Sequence, residues 1–113
     1  MSVLQIHVGE GFANTERRAL DAVERFERGE TVNEHHLTFE NWRVFARVMT
    51  ANRLELLRHV HRNPQKSVLA LSKALKRDYR RVHEDVEALA EAGLLNREGG
   101  GIRADYDGIQ IAM

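Results

Sequence analysis

The stretch "SVLALSKALKRDYRRVHEDVEALAEAGLL", residues 67–95, decides the fold. Ser67 is placed to cap a short helix over "VLALSKALK", with Val68, Leu71 and Leu75 at helical spacing on its inner face. Lys76-Arg77 makes a tight turn. A second helix is expected from Asp78 to Ala92, with Tyr79, Val82, Val86 and Leu89 inward, and Gly93 as its stop. "LLNREGGGIRA" then reads as a hairpin of two short strands around Gly99-Gly100-Gly101, because glycine tolerates positive φ.

Upstream, Asn63-Pro64 closes an earlier helix, since proline disfavours helical geometry in the residue before it. That helix carries Leu54, Leu57 and Val60 at spacing three, with Thr50 as a candidate cap. Before it, Phe39, Trp42, Phe45, Ala46 and Met49 make an apolar helical stripe, with Thr38 as its expected cap. "TVNEHHL" reads as a polar connector. Residues 15–28 form another helical pattern through Leu20, Val23 and Phe26. Both ends alternate with strand period: "SVLQIHV" near the N-terminus and "GIQIAM" at the C-terminus.

The expected fold is mainly α with a small β component (α+β): a winged helix-turn-helix with an N-terminal strand-helix extension. The expected division is residues 1–37, a strand and helix for dimerisation or partner binding, and residues 38–113, the winged domain with its C-terminal strand. An isolated two-stranded ribbon is marginal in water. The terminal strands are therefore expected to pair with each other or across subunits of a homodimer.

The charge is unevenly spread. The chain has 17 basic and 17 acidic residues, yet residues 38–92 hold eleven bases and seven acids, while residues 1–37 hold seven acids and four bases. The basic excess peaks in "KRDYRRV", residues 76–82. Bases at a helix N-terminus oppose its dipole. The plainer account is a ladder of Arg80–Glu84 and Arg81–Asp85 pairs on a solvated face. Base-before-acid is the weaker orientation, worth roughly 0.2–0.5 kcal/mol per pair. A polyanion facing that helix end explains the order better. Operator DNA is the expected polyanion, with the second helix of residues 67–95 in its major groove.

In that reading Lys73, Lys76, Arg77, Arg97 and Arg103 contact phosphates, Ser67 offers its hydroxyl and nearby N–H groups to a phosphate, and Arg80, Arg81 and His83 reach base edges. The rival reading is a winged module that contacts only other proteins.

The run 67–95 resembles the winged helix-turn-helix core of MarR- and ArsR-type prokaryotic regulators. The resemblance rests on the apolar spacing, the valine-centred "RRVHEDVEAL", and "EAGLL" leading into the wing. Residues 38–113 resemble, more narrowly, a family of small DNA-binding regulators often encoded beside a toxin. That resemblance implies a repressor that also serves as the antitoxin of a cognate toxin protein. One departure is the turn: such turns often contain glycine, whereas this one is Lys76-Arg77, so a long side chain has to accept an unusual backbone conformation.

Other chemistry finds little support. There is no cysteine, which excludes disulfides and thiolate chemistry. The six histidines include no pair three or four apart, so no helical metal motif exists and no metal is expected. "GEGFAN" has Asn14 where a dinucleotide loop needs its third glycine, so no cofactor is expected. No nucleophile elbow or paired-carboxylate pocket appears, and the chain is read as a non-enzyme. Without an apolar h-region or a membrane-length apolar run, it is read as cytosolic.

Overall fold

The computed structural model describes residues 2–9, 20, 23–24, 28 and 34–112. Its elements are β1 (Val3–Val8), β2 (Glu34–Phe39), α1 (Trp42–Val48), α2 (Ala51–Arg62), α3 (Val68–Leu75), α4 (Tyr79–Glu91), β3 (Asn96–Glu98), β4 (Gly101–Arg103) and β5 (Gly108–Ala112). The fold class is mixed α and β. The chain divides into two compact units: Met1–Phe45 with Tyr106–Met113, and Ala46–Asp105.

In the first unit the strands form one sheet in the order β2-β1-β5. Both pairings are parallel, with Ile6 opposite Leu37 on one side and Ile111 on the other. Adding β2 resolves the marginality of a two-stranded ribbon. The terminal strands do pair with each other, within the chain. Leu4, Ile6 and Val8 are buried along one face of β1, and Phe39 continues that face. On the opposite face the rings of His7 and His36 stack at 5.1 Å, with Nε2 and Nδ1 2.9 Å apart.

Two expectations fail here. Residues 34–39 are a strand, not a connector, and Thr38 lies inside it. The helix begins later, at Trp42, where the Asn41 side chain accepts from the Val44 N–H (2.9 Å). The boundary expected at residue 37 differs from the observed units: it falls inside β2, and β5 belongs with β1 rather than with the helices. The helix expected over 15–28 lies, apart from Leu20, Val23, Glu24 and Arg28, outside the described residues. Leu20 and Val23 are exposed.

The second unit follows residues 67–95 closely. Thr50 caps α2 by accepting from Arg53 N–H, and Ser67 caps α3 by accepting from Ala70 N–H (3.0 Å). α3 ends on Lys76 at φ 55°, ψ 45°, a left-handed residue whose successor, Arg77, donates back to Ser72 O (3.1 Å). That hydrogen-bond closure usually employs glycine. Asp78 caps α4 by accepting from Arg81 N–H. Gly93 at φ 88° ends α4, with Leu94 N–H returning to Leu89 O (2.9 Å).

Val82, Val86 and Leu89 of α4 pack into a core with Leu56, Val60, Leu71, Leu94 and Ile102, all essentially inaccessible to solvent. Leu54 is exposed instead, and Leu56 takes the inward place beside Leu57 and Val60. β3 and β4 pair antiparallel, with Glu98 opposite Gly101. Both turn residues, Gly99 and Gly100, have positive φ (56° and 86°), as a type I′ hairpin requires. Gln65 joins this ribbon, exchanging two backbone hydrogen bonds with Ile102.

No helix among the described residues is long and apolar enough to cross a membrane.

Candidate nucleic-acid interface

Every residue of the expected site lies in the second unit, on α3, the turn, α4 or the hairpin. The surface can be built from the helix geometry upward. Val82, Val86 and Leu89 fix the buried side of α4, so about 100° of rotation per residue sets the rest. Arg80, His83, Glu84 and Glu87 share the outward face and are exposed. Arg81 is exposed too, on the flank that also carries Asp85.

Lys73, in the last turn of α3, and Lys76, at its left-handed end, are exposed. Among the described residues, no hydrogen bond or ion pair engages the side chains of Lys73, Lys76, Arg80 or Arg81. The ladder Arg80–Glu84 and Arg81–Asp85 does not form. The Asp78 carboxylate at the N-cap of α4 offsets part of the local positive potential.

Two arginines differ from expectation. The Arg77 Nη2 donates to Asp85 Oδ2 at 2.7 Å, and Arg53 Nε donates to the other oxygen, Oδ1, at 3.0 Å. The Asp85 side chain is only 13% exposed. Arg53 also donates through Nη1 to the carbonyls of Arg47 and Val48 (3.1 Å each). Asp85 thereby ties α4 both to α2 and to the turn, and the Arg77 side chain, 24% exposed, is engaged by that pairing. Sequence spacing could not show this, because Asp85 reaches 32 residues back to Arg53.

Arg97 Nη1 donates to Glu87 Oε1 at 2.8 Å, bracing β3 against α4. His83 lies 3.9 Å from the same carboxylate oxygen. Arg103 sits 3.6 Å from Asp105 with its side chain 54% exposed, so it remains accessible at the ribbon. Ser67 spends its oxygen lone pair on the cap of α3 and keeps its O–H as a donor.

Two further residues adjoin the expected site in the chain. Tyr79, read as core, is 49% exposed. Its ring approaches that of His83 at 5.9 Å. Helical rotation puts Tyr79 on the same side as Val86, seven residues on, yet it is half exposed at the first position of α4, an end effect that periodicity cannot register. Lys66 precedes the Ser67 cap and lines an open groove of about 360 Å³ together with Asn96, Glu98 and Arg103.

Among the described residues no cluster of three or more His, Cys, Asp or Glu side chains could hold a metal ion. The arrangement presents four exposed cations, Lys73, Lys76, Arg80 and Arg81, and the half-exposed ring of Tyr79.

No curated protein matches the chain, and no solved structure does. The sequence model of the HVO_A0114 family matches residues 48–111, from the end of α1 through β5. That match spans more than half of the chain and contains the whole candidate surface, and on it the chain belongs to the HVO_A0114 family.

Proposed function

We propose that residues 46–105 are a winged helix-turn-helix domain that binds duplex DNA, and that the protein is a transcriptional repressor. The supporting geometry is the order α2, α3, turn, α4, followed by a β3–β4 ribbon that Gln65 widens. The observation that carries the reading is the state of four cations. Lys73, Lys76, Arg80 and Arg81 are exposed and engage no partner among the described residues, although Glu84 and Glu87 stand close by in sequence. Arg80 and Arg81, unpaired at the dipole-disfavoured N-terminal end of α4, with Lys73 and Lys76 at the preceding end of α3, fit a phosphate backbone.

α4 is the reading element. Arg80 donates its two-pronged guanidinium to guanine O6 and N7, with Tyr79 and His83 beside it. Arg81, on the flank, is closer to the groove wall and to phosphate. Lys73, Lys76 and the Ser67 hydroxyl hold the backbone on one side of α4, and Arg103 does so from the ribbon. Arg77 and Arg97 act through Asp85 and Glu87, keeping α4 and the ribbon in place. A second copy of the chain and a cognate toxin are the further partners in this proposal. The toxin follows from the resemblance to antitoxin regulators alone.

Fluorescence anisotropy with the DNA upstream of the protein's own gene, against a scrambled duplex, tests the reading. Arg80→Ala is expected to cut discrimination between the two by roughly 1–3 kcal/mol. Equal affinity of the wild type for both duplexes, or discrimination unchanged by Arg80→Ala, overturns it.

A further inference from the structure

We infer that β5 is the dimerisation edge of the protein: two copies pair their β5 strands antiparallel about a two-fold axis at Gln110, fusing two three-stranded sheets into one of six. β5 lies at the end of the sheet order β2-β1-β5, so among the described residues one side of it has no strand partner. Native edges are normally blunted by charge, proline or a bulge. β5, "GIQIA", has no charged residue and no proline, and it keeps unbroken register with β1 from Gly108 to Ala112. Ile109 and Ile111 are 38% and 45% exposed, while their β1 neighbours Leu4 and Ile6 are fully buried. The apolar face of the sheet therefore runs out uncovered at this edge.

A second copy is the occupant that fits. Backbone groups alternate in direction along a strand. The Gly9 N–H is donated to Phe39 O of β2 at 3.0 Å, so the odd residues of β1 face β2 and Leu4 and Ile6 face β5. In the parallel register with β1, Gly108, Gln110 and Ala112 then point their amides toward β1, and Ile109 and Ile111 point theirs outward. A two-fold axis at Gln110 puts Gln110 against Gln110 as a non-hydrogen-bonded pair, flanked by Ile109 against Ile111 as hydrogen-bonded pairs. The four exposed isoleucines thereby cover one another.

The opposite face is self-complementary as well. The Gln110 Oε1 accepts from Gln5 Nε2 at 3.1 Å. The Gln110 Nε2 engages no partner among the described residues and is free to donate across the axis. An uncharged strand meets its own copy without like-charge repulsion, and the contact is isologous, so it closes at two chains. An edge contact of this length is at the small end of stable interfaces, so a micromolar dimer is expected. The inference does not rest on DNA binding.

Sedimentation velocity from 1 to 200 µM, without DNA, tests it. The wild type should pass from monomer to dimer across that range. Ile109→Pro removes an outward N–H and leaves the β1–β5 ladder intact, since proline is tolerated where an edge N–H faces solvent. It should remain monomeric at 200 µM with an unchanged circular dichroism spectrum.

The chain has no cysteine, so Gln110→Cys supplies its only thiol. Facing Cα atoms of such a non-hydrogen-bonded pair are about 4.5 Å apart, within disulfide range. Mild oxidation should give a covalent dimer with Gln110→Cys and none with Glu55→Cys on the other unit. A wild type monomeric at 200 µM overturns the inference. So does a dimer that survives Ile109→Pro, or equal cross-linking of the two cysteine variants. If Ile109→Pro fails to fold, the cross-linking pair decides.

Discussion

At the scale of single residues, Lys76 is where stability and binding pull apart. It holds a left-handed backbone at φ 55°. A side chain there costs on the order of 1 kcal/mol relative to glycine. Its cation stands next to the N-terminus of α4, the proposed reading helix, in a position that folding alone would give to glycine. Lys76→Gly is expected to raise stability in urea by about 0.5–1 kcal/mol while weakening affinity for every duplex sequence. Loss of stability, or unaltered affinity, goes against this account.

Tyr79 is a second such residue, being half exposed at the first position of α4. Tyr79→Ala should change stability by no more than about 0.5 kcal/mol, as surface substitutions do. Val86→Ala, about two turns further along the same helix and fully buried, should cost about 1–3 kcal/mol. Paired urea melts distinguish the two.

At the scale of elements, α4 is positioned by charge as well as by packing. Asp85 accepts from Arg53 of α2 and Arg77 of the turn through separate oxygens. Asp85→Ala leaves two guanidiniums without their shared partner. The groups retain some solvent access, so the expected loss is about 2–3 kcal/mol, below that of a fully buried pair. Weaker DNA binding should accompany it, because the turn carrying Lys76 loses its tether. An unchanged urea midpoint contradicts this.

The elements differ in how far sequence reveals them. α3, α4 and the hairpin were legible because local chemistry marks each end: Ser67, Asp78, Gly93 and the Gly99-Gly100 turn. β1 and β5 were legible because their apolar residues alternate over a full strand. β2 was not: "EHHLTF" carries only two apolar side chains, Leu37 and Phe39, and two histidines mask its period. It is a strand because β1 offers it a parallel edge, a tertiary cause with no local sign. The ion pairs of Arg77 and Arg97 were hidden for a like reason, since their acids lie eight and ten residues away. The pattern of bases predicted where positive charge gathers, but not which guanidiniums are already spoken for.

At the scale of the whole molecule, the net charge of zero conceals a division of labour. The parallel sheet unit carries the uncharged β5 edge and the proposed self-association. The helical unit carries the exposed bases and the proposed DNA contact. The central claim is that those bases neutralise phosphates. Its most direct measurement is the slope of log affinity for duplex DNA against log salt, for the wild type and for Lys73→Ala with Lys76→Ala. Each phosphate contact contributes about 0.9 to the slope. The account predicts a steep wild-type dependence that becomes shallower by about 1.8 in the double variant, 0.9 for each lysine removed. A wild type that shows no salt-dependent binding, or a double variant with the same slope, contradicts it.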